Sequence, residues 1–327
     1  MFNRTIPRFA RLGVVAGIAV IMATPVVTAS AAFTNGSPPL INHGGRTQAS
    51  VIYSIFWGQQ WVTGWPDTTE AQSSVFCEGY YTSCTSSTAM TYSNAASTAM
   101  TYINGFLSSA VPGSTWIGSQ AQYGASASWG GTWTDTADTP PPPGVVTDNC
   151  SEVCTVDQPP GTTRTAETLA NLLGSEALNA EAHFGYSPNA DYMIYLPQGS
   201  IPAGFGAYCA YHNEIYDGAG NRISYSVMPY LPDVAAGCGE DYFNNNNAFG
   251  NGFLDGYSIV SGHELAETAT DALPLTNPGW RDSSGAETGD ICAWGTQANG
   301  VPVYNISGGG HVFAVQSLWS NSANNCV

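Results

Sequence analysis

The sequence predicts an α/β protein of the mixed, α+β type. Its single domain is built around a mixed sheet. Segments typical of strands alternate along the chain with segments typical of helices. Hydrophobic residues make up 43% of the 327 residues and charged residues only 9%, which supplies enough apolar side chains for a packed core. The 37 Gly and 20 Pro residues predict long connections between the elements.

The first 31 residues have the three parts of a signal peptide. A segment with three Arg residues is followed by an apolar run over 12–23 and by a small-x-small cleavage site at 29–31. The apolar run is too short to cross a bilayer as a helix. Residues 32–327 are therefore predicted to form one secreted, extracellular domain with no membrane span.

The first half of that domain predicts a strand, a helix and a long loop. Residues 51–57 are β-branched and aromatic and predict a buried strand that ends at Gly58. Residues 86–110 are rich in Ala, Met and Tyr and predict a helix that stops before Pro112. Residues 124–161 are rich in Gly, Thr and Pro, and we interpret them as an extended loop stapled by its own cysteine pair.

The second half predicts two further helices and three strands. The helix over 165–184 has a stripe of Leu residues, and the helix over 253–272 carries the densest group of ionisable residues in the chain. Short strands are predicted over 191–196, 223–230 and 312–318.

Eight cysteines remain after the predicted cleavage, and an even number in an exported chain indicates disulfides. Nearest-neighbour pairing is our prediction among the 105 possible connectivities. Thiolate metal ligands are the alternative, which the absence of a Cys-x-x-Cys motif disfavours. The predicted pairs are Cys77–Cys84, Cys150–Cys154, Cys209–Cys238 and Cys292–Cys326.

The charge balance excludes two classes of partner. The chain has seven Lys plus Arg against 24 Asp plus Glu, which gives a formal net charge of −17. A surface this acidic repels nucleic acid and anionic membranes. We therefore predict no nucleic-acid partner.

One motif contains residues suited to metal binding and general-base catalysis. His263 and Glu267 are four residues apart on a predicted helix, so their side chains lie on one face and can bind the same metal ion. Glu264 follows His263 directly, the position of the general base in His-Glu-x-x-His zinc proteases. Asp271 is roughly 12 Å further along the helix axis, which fits a capping or supporting role. The alternative is that the three ionisable residues have no specific function and form a solvated helix face.

The stretch Ser261-Gly-His-Glu-Leu-Ala-Glu-Thr-Ala-Thr-Asp271 resembles the zinc-binding helix of the zincin metallopeptidases, most closely the thermolysin type. The resemblance implies a zincin-like fold, Zn²⁺, a metal-activated water and a peptide or protein substrate. Glu264 would be the general base, and His263 and Glu267 metal ligands. Glu267 stands where the second zinc histidine belongs in the zincins. A third ligand would come from His212, Glu287 or Asp290.

A second resemblance covers most of the predicted mature domain. It rests on five stretches and is to bacterial secreted proteins that are distantly similar to the Exordium, or phosphate-induced, extracellular proteins of plants. This similarity implies a shared secreted fold without implying an enzyme. The alternative function is therefore a non-catalytic extracellular protein with a cell-wall polysaccharide as its partner. The stretches are 52–58, 106–107, Cys209-Ala-Tyr-His212, 265–271 and 318–321.

Two further groups of residues each have more than one interpretation. Asp282, Glu287 and Asp290 lie in a Gly/Ser-rich segment and are candidates for a structural Ca²⁺ site, a plain acidic loop or a zinc ligand. Three tryptophans at positions 57, 61 and 65 are either core residues or a platform for carbohydrate or peptide. The remaining histidines, His43, His183 and His311, are interpreted as structural or loop residues.

Overall fold

A computed structural model describes residues 39–68, 91–143, 172–202, 205, 208–240, 242–244, 252–293 and 303–327. The predicted signal peptide and the predicted disulfides 77–84 and 150–154 lie outside these residues. So does the second part of the predicted loop, residues 144–161.

The centre of the protein is a five-stranded mixed sheet. Its order is β2-β1-β3-β5-β4, and all neighbours are parallel except β4, which pairs antiparallel with β5 at one edge. Side chains on both faces of β1, β3 and β5 are largely buried, as expected of central strands that are covered on both faces. The strands are β1 Ala49–Trp57, β2 Ser126–Asp135, β3 Ala190–Tyr195, β4 Tyr211–Tyr216 and β5 Arg222–Met228.

Helices cover the two faces of this sheet. The three long helices are α1 Ala95–Gly105, α2 Leu172–Phe184 and α3 Asp255–Thr270. Leu173 and Ala177 of α2 pack with Tyr192 and Ile194 on one face. The opposite face belongs to a larger apolar cluster that includes residues of α1 and α3. The result is three layers, with the sheet between helices.

A β-hairpin forms part of the layer that encloses α3. Its strands are β6 Val303–Gly308 and β7 His311–Gln316, joined by a two-residue turn. Gly309 and Gly310 both have positive φ, 59° and 82°, as a hairpin turn of this length requires. The hairpin contributes Val303, Ile306 and Phe313 to the same apolar cluster as α3, so the helix has protein on more than one side.

Shorter elements complete the described fold. Helical turns lie at Gln60–Thr63, Phe106–Ala110, Thr115–Gly118, Ser119–Tyr123, Leu231–Cys238, Gly252–Leu254 and Asp290–Cys292. Two-residue strands pair Ile41–Asn42 with Trp280–Arg281, Asp67–Thr68 with Thr91–Tyr92, and Trp319–Ser320 with Asn325–Cys326.

The predicted loop 124–161 is wrong in its first part, because Ser126–Asp135 is the edge strand β2. The segment is built from Gly, Ser and Thr around two tryptophans, a composition typical of loops. The small residues have a packing role: a Cβ on Gly130 would lie 2.6 Å from the ring of Tyr53 on β1. Glycine at this position lets the aromatic ring of the neighbouring strand cover the backbone.

The predicted helix 86–110 begins later than its composition indicates. Thr91–Tyr92 is a short strand, and the side chain of Asn94 then accepts a hydrogen bond from the backbone N–H of Ser97. This N-cap fixes the first residue of α1 at Ala95. The end of the predicted helix is confirmed, as a π-helical turn at Phe106–Ala110.

Most of the other predicted elements are confirmed within a few residues. These are the helix 253–272 and the strands 51–57, 191–196, 223–230 and 312–318. The described part of the helix 165–184 is Leu172–Phe184. Disulfides Cys209–Cys238 and Cys292–Cys326 are present as predicted and are compatible with an extracellular protein.

Over the described residues, no helix combines the length and the apolar character needed to cross a membrane.

Candidate metal centre

The helix α3 has no face in contact with solvent. All 16 of its residues are buried, including His263, Glu264 and Glu267. Two of its serines bond to neighbouring layers: Ser261 accepts a hydrogen bond from Tyr195 of the sheet at 3.0 Å, and Ser258 lies 2.7 Å from the hydroxyl of Tyr102. The interpretation of the three ionisable residues as a solvated helix face is therefore wrong.

His263, Glu267 and Asp290 form the first group of candidate ligands. His263 Nε2 lies 3.1 Å from Glu267 Oε1 and 3.8 Å from Asp290 Oδ1. The backbone N–H of Asp290 also donates to Glu267 Oε1 at 3.0 Å, which fixes the loop against the helix. The three side chains can offer one ligand atom each to a common metal ion.

His212, Glu264 and Glu267 form the second group. His212 lies on the antiparallel edge strand β4, on the sheet face opposite that of α2. Its Nδ1 is 3.3 Å from Glu264 Oε2 and 3.5 Å from Glu267 Oε2. Its Nε2 is 3.7 Å from Glu287 Oε1. The structure thus brings together all six residues that the sequence singled out.

Several polar atoms of this cluster are buried without a hydrogen-bond partner. An unsatisfied polar atom in a protein interior is costly, and each one calls for an explanation. Imidazole nitrogen and carboxylate oxygen are ligands of zinc and of other transition metals. The unpartnered atoms are His212 Nε2, His263 Nε2, Glu264 Oε1, Glu267 Oε2 and Glu287 Oε1. This set of nitrogen and oxygen donors fits a metal ion.

Gln316 at the end of β7 orients the first histidine. Its amide Nε2 donates to the carbonyl of Gly289 at 2.7 Å, so its Oε1 is available to accept from His263 Nδ1 at 3.2 Å. With Nδ1 bonded to Gln316, His263 directs its Nε2 at Glu267 and Asp290, which is the orientation of a metal-ligating histidine. Nothing in the sequence singles out Gln316, because its partners are distant along the chain.

The electrostatics of the cluster favour positive charge at His263. Burial by itself would lower the pKa of His263, but the neighbouring carboxylates, above all that of Glu267, outweigh it and raise the pKa to about 10. Burial raises the pKa of Glu267 to about 7, despite the opposing effect of His263. A metal ion competes with a proton for the same nitrogen, so this environment also favours a cation.

His212 is held in the opposite protonation state. Burial lowers its pKa to about 3, with a further contribution from the positive charge of Arg281. Burial also raises the pKa of Glu264 well above its ordinary value. A neutral imidazole is the form that ligates metals.

Asp271 and Arg281 form an ion pair behind the cluster. Asp271 follows the last residue of α3 and accepts from Arg281 Nε at 2.5 Å and from the backbone N–H of Gly279 at 2.8 Å. Arg281 Nε also lies 3.7 Å from Glu287 Oε1. The position of Asp271 agrees with the supporting role predicted from its spacing.

The other sequence candidates lie elsewhere. Asp282 caps its own turn, accepting from the backbone N–H groups of Ser284 and Ala286, and belongs to neither candidate metal group of the described residues. A Ca²⁺ site formed by Asp282 with Glu287 and Asp290 is therefore not supported.

The tryptophan platform is also wrong, since the three residues are at most 9% exposed and belong to the core. Trp61 donates its indole N–H to the carbonyl of Tyr195 and contacts Trp65 edge to face. The ring of His183 stacks on Trp133, and His311 lies exposed at the start of β7.

Comparison with known proteins adds no relative: no protein-family model, curated protein or solved structure matches this chain.

Proposed function

We propose that this protein is a metal-dependent hydrolase that acts on peptide bonds. The observation that carries the proposal is the buried group of His263 Nε2, Glu267 Oε1 and Asp290 Oδ1. His263 Nε2 faces the carboxylates of both acids, and the second oxygen of Glu267, Oε2, has no hydrogen-bond partner. A divalent cation is the ligand that satisfies this arrangement best.

The residues have distinct roles in this proposal. His263, Glu267 and Asp290 would hold the cation. Asp290 is thus our choice among the three residues that the sequence offered as the third ligand. The cation supplies Lewis-acid polarisation of a carbonyl and lowers the pKa of a water molecule. Glu264 would accept the proton of such a water molecule, because its Oε1 has no hydrogen-bond partner in the protein.

Peptides as the substrate class, and Zn²⁺ as the metal, rest on the resemblance of the helix to that of the zincins. A mixed sheet with the His-Glu-x-x-Glu helix packed on one face is in keeping with a zincin-like fold. The side chain of Asp290 is 22% exposed and those of the other five cluster members at most 2%, so a substrate would approach from the Asp290 side. The disulfides and the predicted signal peptide favour an extracellular site of action.

The test is peptide hydrolysis by purified protein loaded with Zn²⁺, comparing wild type with Glu264→Gln. The variant should lose about 10²–10⁴-fold in rate, the usual contribution of a general base. Glu176→Gln is the matched control, because Glu176 is also a fully buried glutamate on a helix, but it lies in α2 on the other face of the sheet. Equal rates for wild type and Glu264→Gln would refute the proposal.

The second candidate is a non-catalytic, Exordium-like extracellular protein. The near-complete burial of the cluster favours it, since His263 and Glu267 at 3.1 Å can also stabilise the core as an ion pair. This candidate predicts binding to cell-wall polysaccharide in a pull-down without hydrolysis, and no stoichiometric metal. Glu264-dependent cleavage of a peptide would remove it.

A further inference from the structure

Glu267 is shared by both candidate ligand groups, and it turns a different oxygen to each. Its Oε1 lies 3.1 Å from His263 Nε2, while its Oε2 lies 3.5 Å from His212 Nδ1. The two histidines come from different layers of the fold, His263 from α3 and His212 from the edge strand β4. One carboxylate therefore stands between two imidazoles.

We propose that the protein binds two divalent cations side by side, with Glu267 as the carboxylate that bridges them. The first ion is held by His263, Asp290 and Glu267 Oε1. The second is held by His212, Glu264 and Glu267 Oε2. This inference rests on the proposed function for the first ion and extends it by a second site with its own ligands.

The charges around the histidines support two ions over one. Among the described residues, four carboxylates approach the two histidine rings within 3.8 Å: Glu264, Glu267, Glu287 and Asp290. The nearby guanidinium of Arg281 is already paired with Asp271. Buried charges need compensation, and two divalent cations carry the four positive charges that match these carboxylates.

The unpartnered atoms lie on both sides of Glu267. One ion in the first group would satisfy His263 Nε2 but would leave Glu267 Oε2 unpartnered in a fully buried position. An ion in the second group satisfies that oxygen. Glu264 then has one oxygen for each task, because Oε2 faces His212 while Oε1 remains free to accept a proton.

A two-ion centre narrows the chemistry of the proposed enzyme. Paired metal ions in hydrolases stabilise both the attacking and the leaving oxygen or orient a substrate terminus, and aminopeptidases are among the enzymes that use them. A short peptide with a free amino terminus is the substrate class that we expect for this centre.

The experiment is elemental analysis of the full chain after saturation with Zn²⁺ and removal of free metal. Wild type should hold two Zn²⁺ per chain, His212→Ala and Asp290→Ala one each, and Glu267→Ala fewer than one. His311→Ala is the matched control and should keep both ions, because His311 is an exposed histidine outside the cluster. Circular dichroism and a cooperative unfolding transition establish that each variant is folded.

The outcomes separate this inference from the proposed function. One Zn²⁺ in wild type that is lost in Asp290→Ala and kept in His212→Ala overturns the second site and leaves the hydrolase proposal intact. No Zn²⁺ in wild type overturns both.

If His212→Ala or Asp290→Ala fails to fold, the wild type loaded with Mn²⁺ gives an independent answer. Two ions that share a carboxylate are magnetically coupled and give an electron paramagnetic resonance spectrum that a single bound Mn²⁺ does not. An uncoupled spectrum at saturation would contradict the bridge.

Discussion

The backbone N–H of Asp290 donates to Glu267 Oε1 at 3.0 Å, so one carboxylate both faces His263 and fastens the loop that carries Asp290. Glu267 and Asp290 are 23 residues apart along the chain. The position of Asp290 at the candidate metal centre therefore depends on Glu267.

Replacing Glu267 with Ala should loosen this loop. A hydrogen bond to a charged group contributes about 1.5–3 kcal/mol, so the Asp290 amide proton should exchange with solvent roughly tenfold to a hundredfold faster. Amide hydrogen exchange followed by NMR measures this directly. Glu264→Ala is the control, since Glu264 faces His212 and not the Asp290 amide. An unchanged exchange rate in Glu267→Ala would show that other contacts hold the loop.

The Asp271–Arg281 pair should be a major source of stability. Replacing Arg281 with Met leaves the carboxylate of Asp271 buried and without its cation, which costs about 3–5 kcal/mol in the free energy of unfolding. Urea unfolding measures the loss. Arg222→Met is the control, because Arg222 is only partly buried and lies over the ring of Tyr216, and it should cost about 1 kcal/mol or less. Equal losses in the two variants would contradict the special role of the buried pair.

Glu176 should make the stability of the protein depend on pH. Burial raises its pKa from 4.5 to about 8, although Asn179 donates a hydrogen bond to it. Because the folded pKa is the higher one, the stabilisation is fully present below about pH 4.5 and is lost as the pH rises through 8. The free energy of unfolding of wild type, minus that of Glu176→Gln, should fall by up to about 1.4 kcal/mol per pH unit within that window. A difference that stays flat from pH 5 to pH 8 would show that Glu176 is ionised in the folded protein.

The two disulfides should have similar effects on stability and different effects on the metal centre. They join residues 34 and 29 positions apart, so removing either should cost about 3–4 kcal/mol by loop-closure entropy. Cys292 is two residues from Asp290, a proposed ligand of the first ion, whereas Cys209 is three residues from His212, a proposed ligand of the second ion only. Replacing Cys292 and Cys326 with Ser should therefore weaken Zn²⁺ binding at His263, measured by competition with a chelator. Replacing Cys209 and Cys238 should leave that affinity within about threefold, and an equal loss in both variants would contradict the link to Asp290.

The helix α3 could be predicted from sequence because His263 and Glu267 are four residues apart. Residues at that spacing lie on the same face when the segment is a helix. The strand β4 could not. His212, Asn213 and Glu214 are three consecutive polar residues, which do not show the pattern of a buried strand, yet all three are buried. The polar face of this strand faces the candidate site and not water.

The sequence could indicate which residues are candidates for the site, but not how they divide into two groups. The motif indicated His263, Glu264 and Glu267, and chemistry added three candidates for a third ligand. Which of those candidates faces which oxygen of Glu267 depends on contacts between β4, α3 and the loop at Asp290. The dependence of His263 on Gln316, 53 residues away, has no local signal in the chain.

The complete burial of α3 has a consequence for how this protein tolerates change. A surface helix accepts substitutions on its outer side, so a saturation scan of such a helix shows permissive positions that recur every three to four residues. Here all 16 consecutive positions are buried, and a side chain at Gly262 would require the ring of Trp116 to shift, because a Cβ there would lie 3.1 Å from that ring. The scan should therefore lose that periodicity and show one uninterrupted block of intolerant positions.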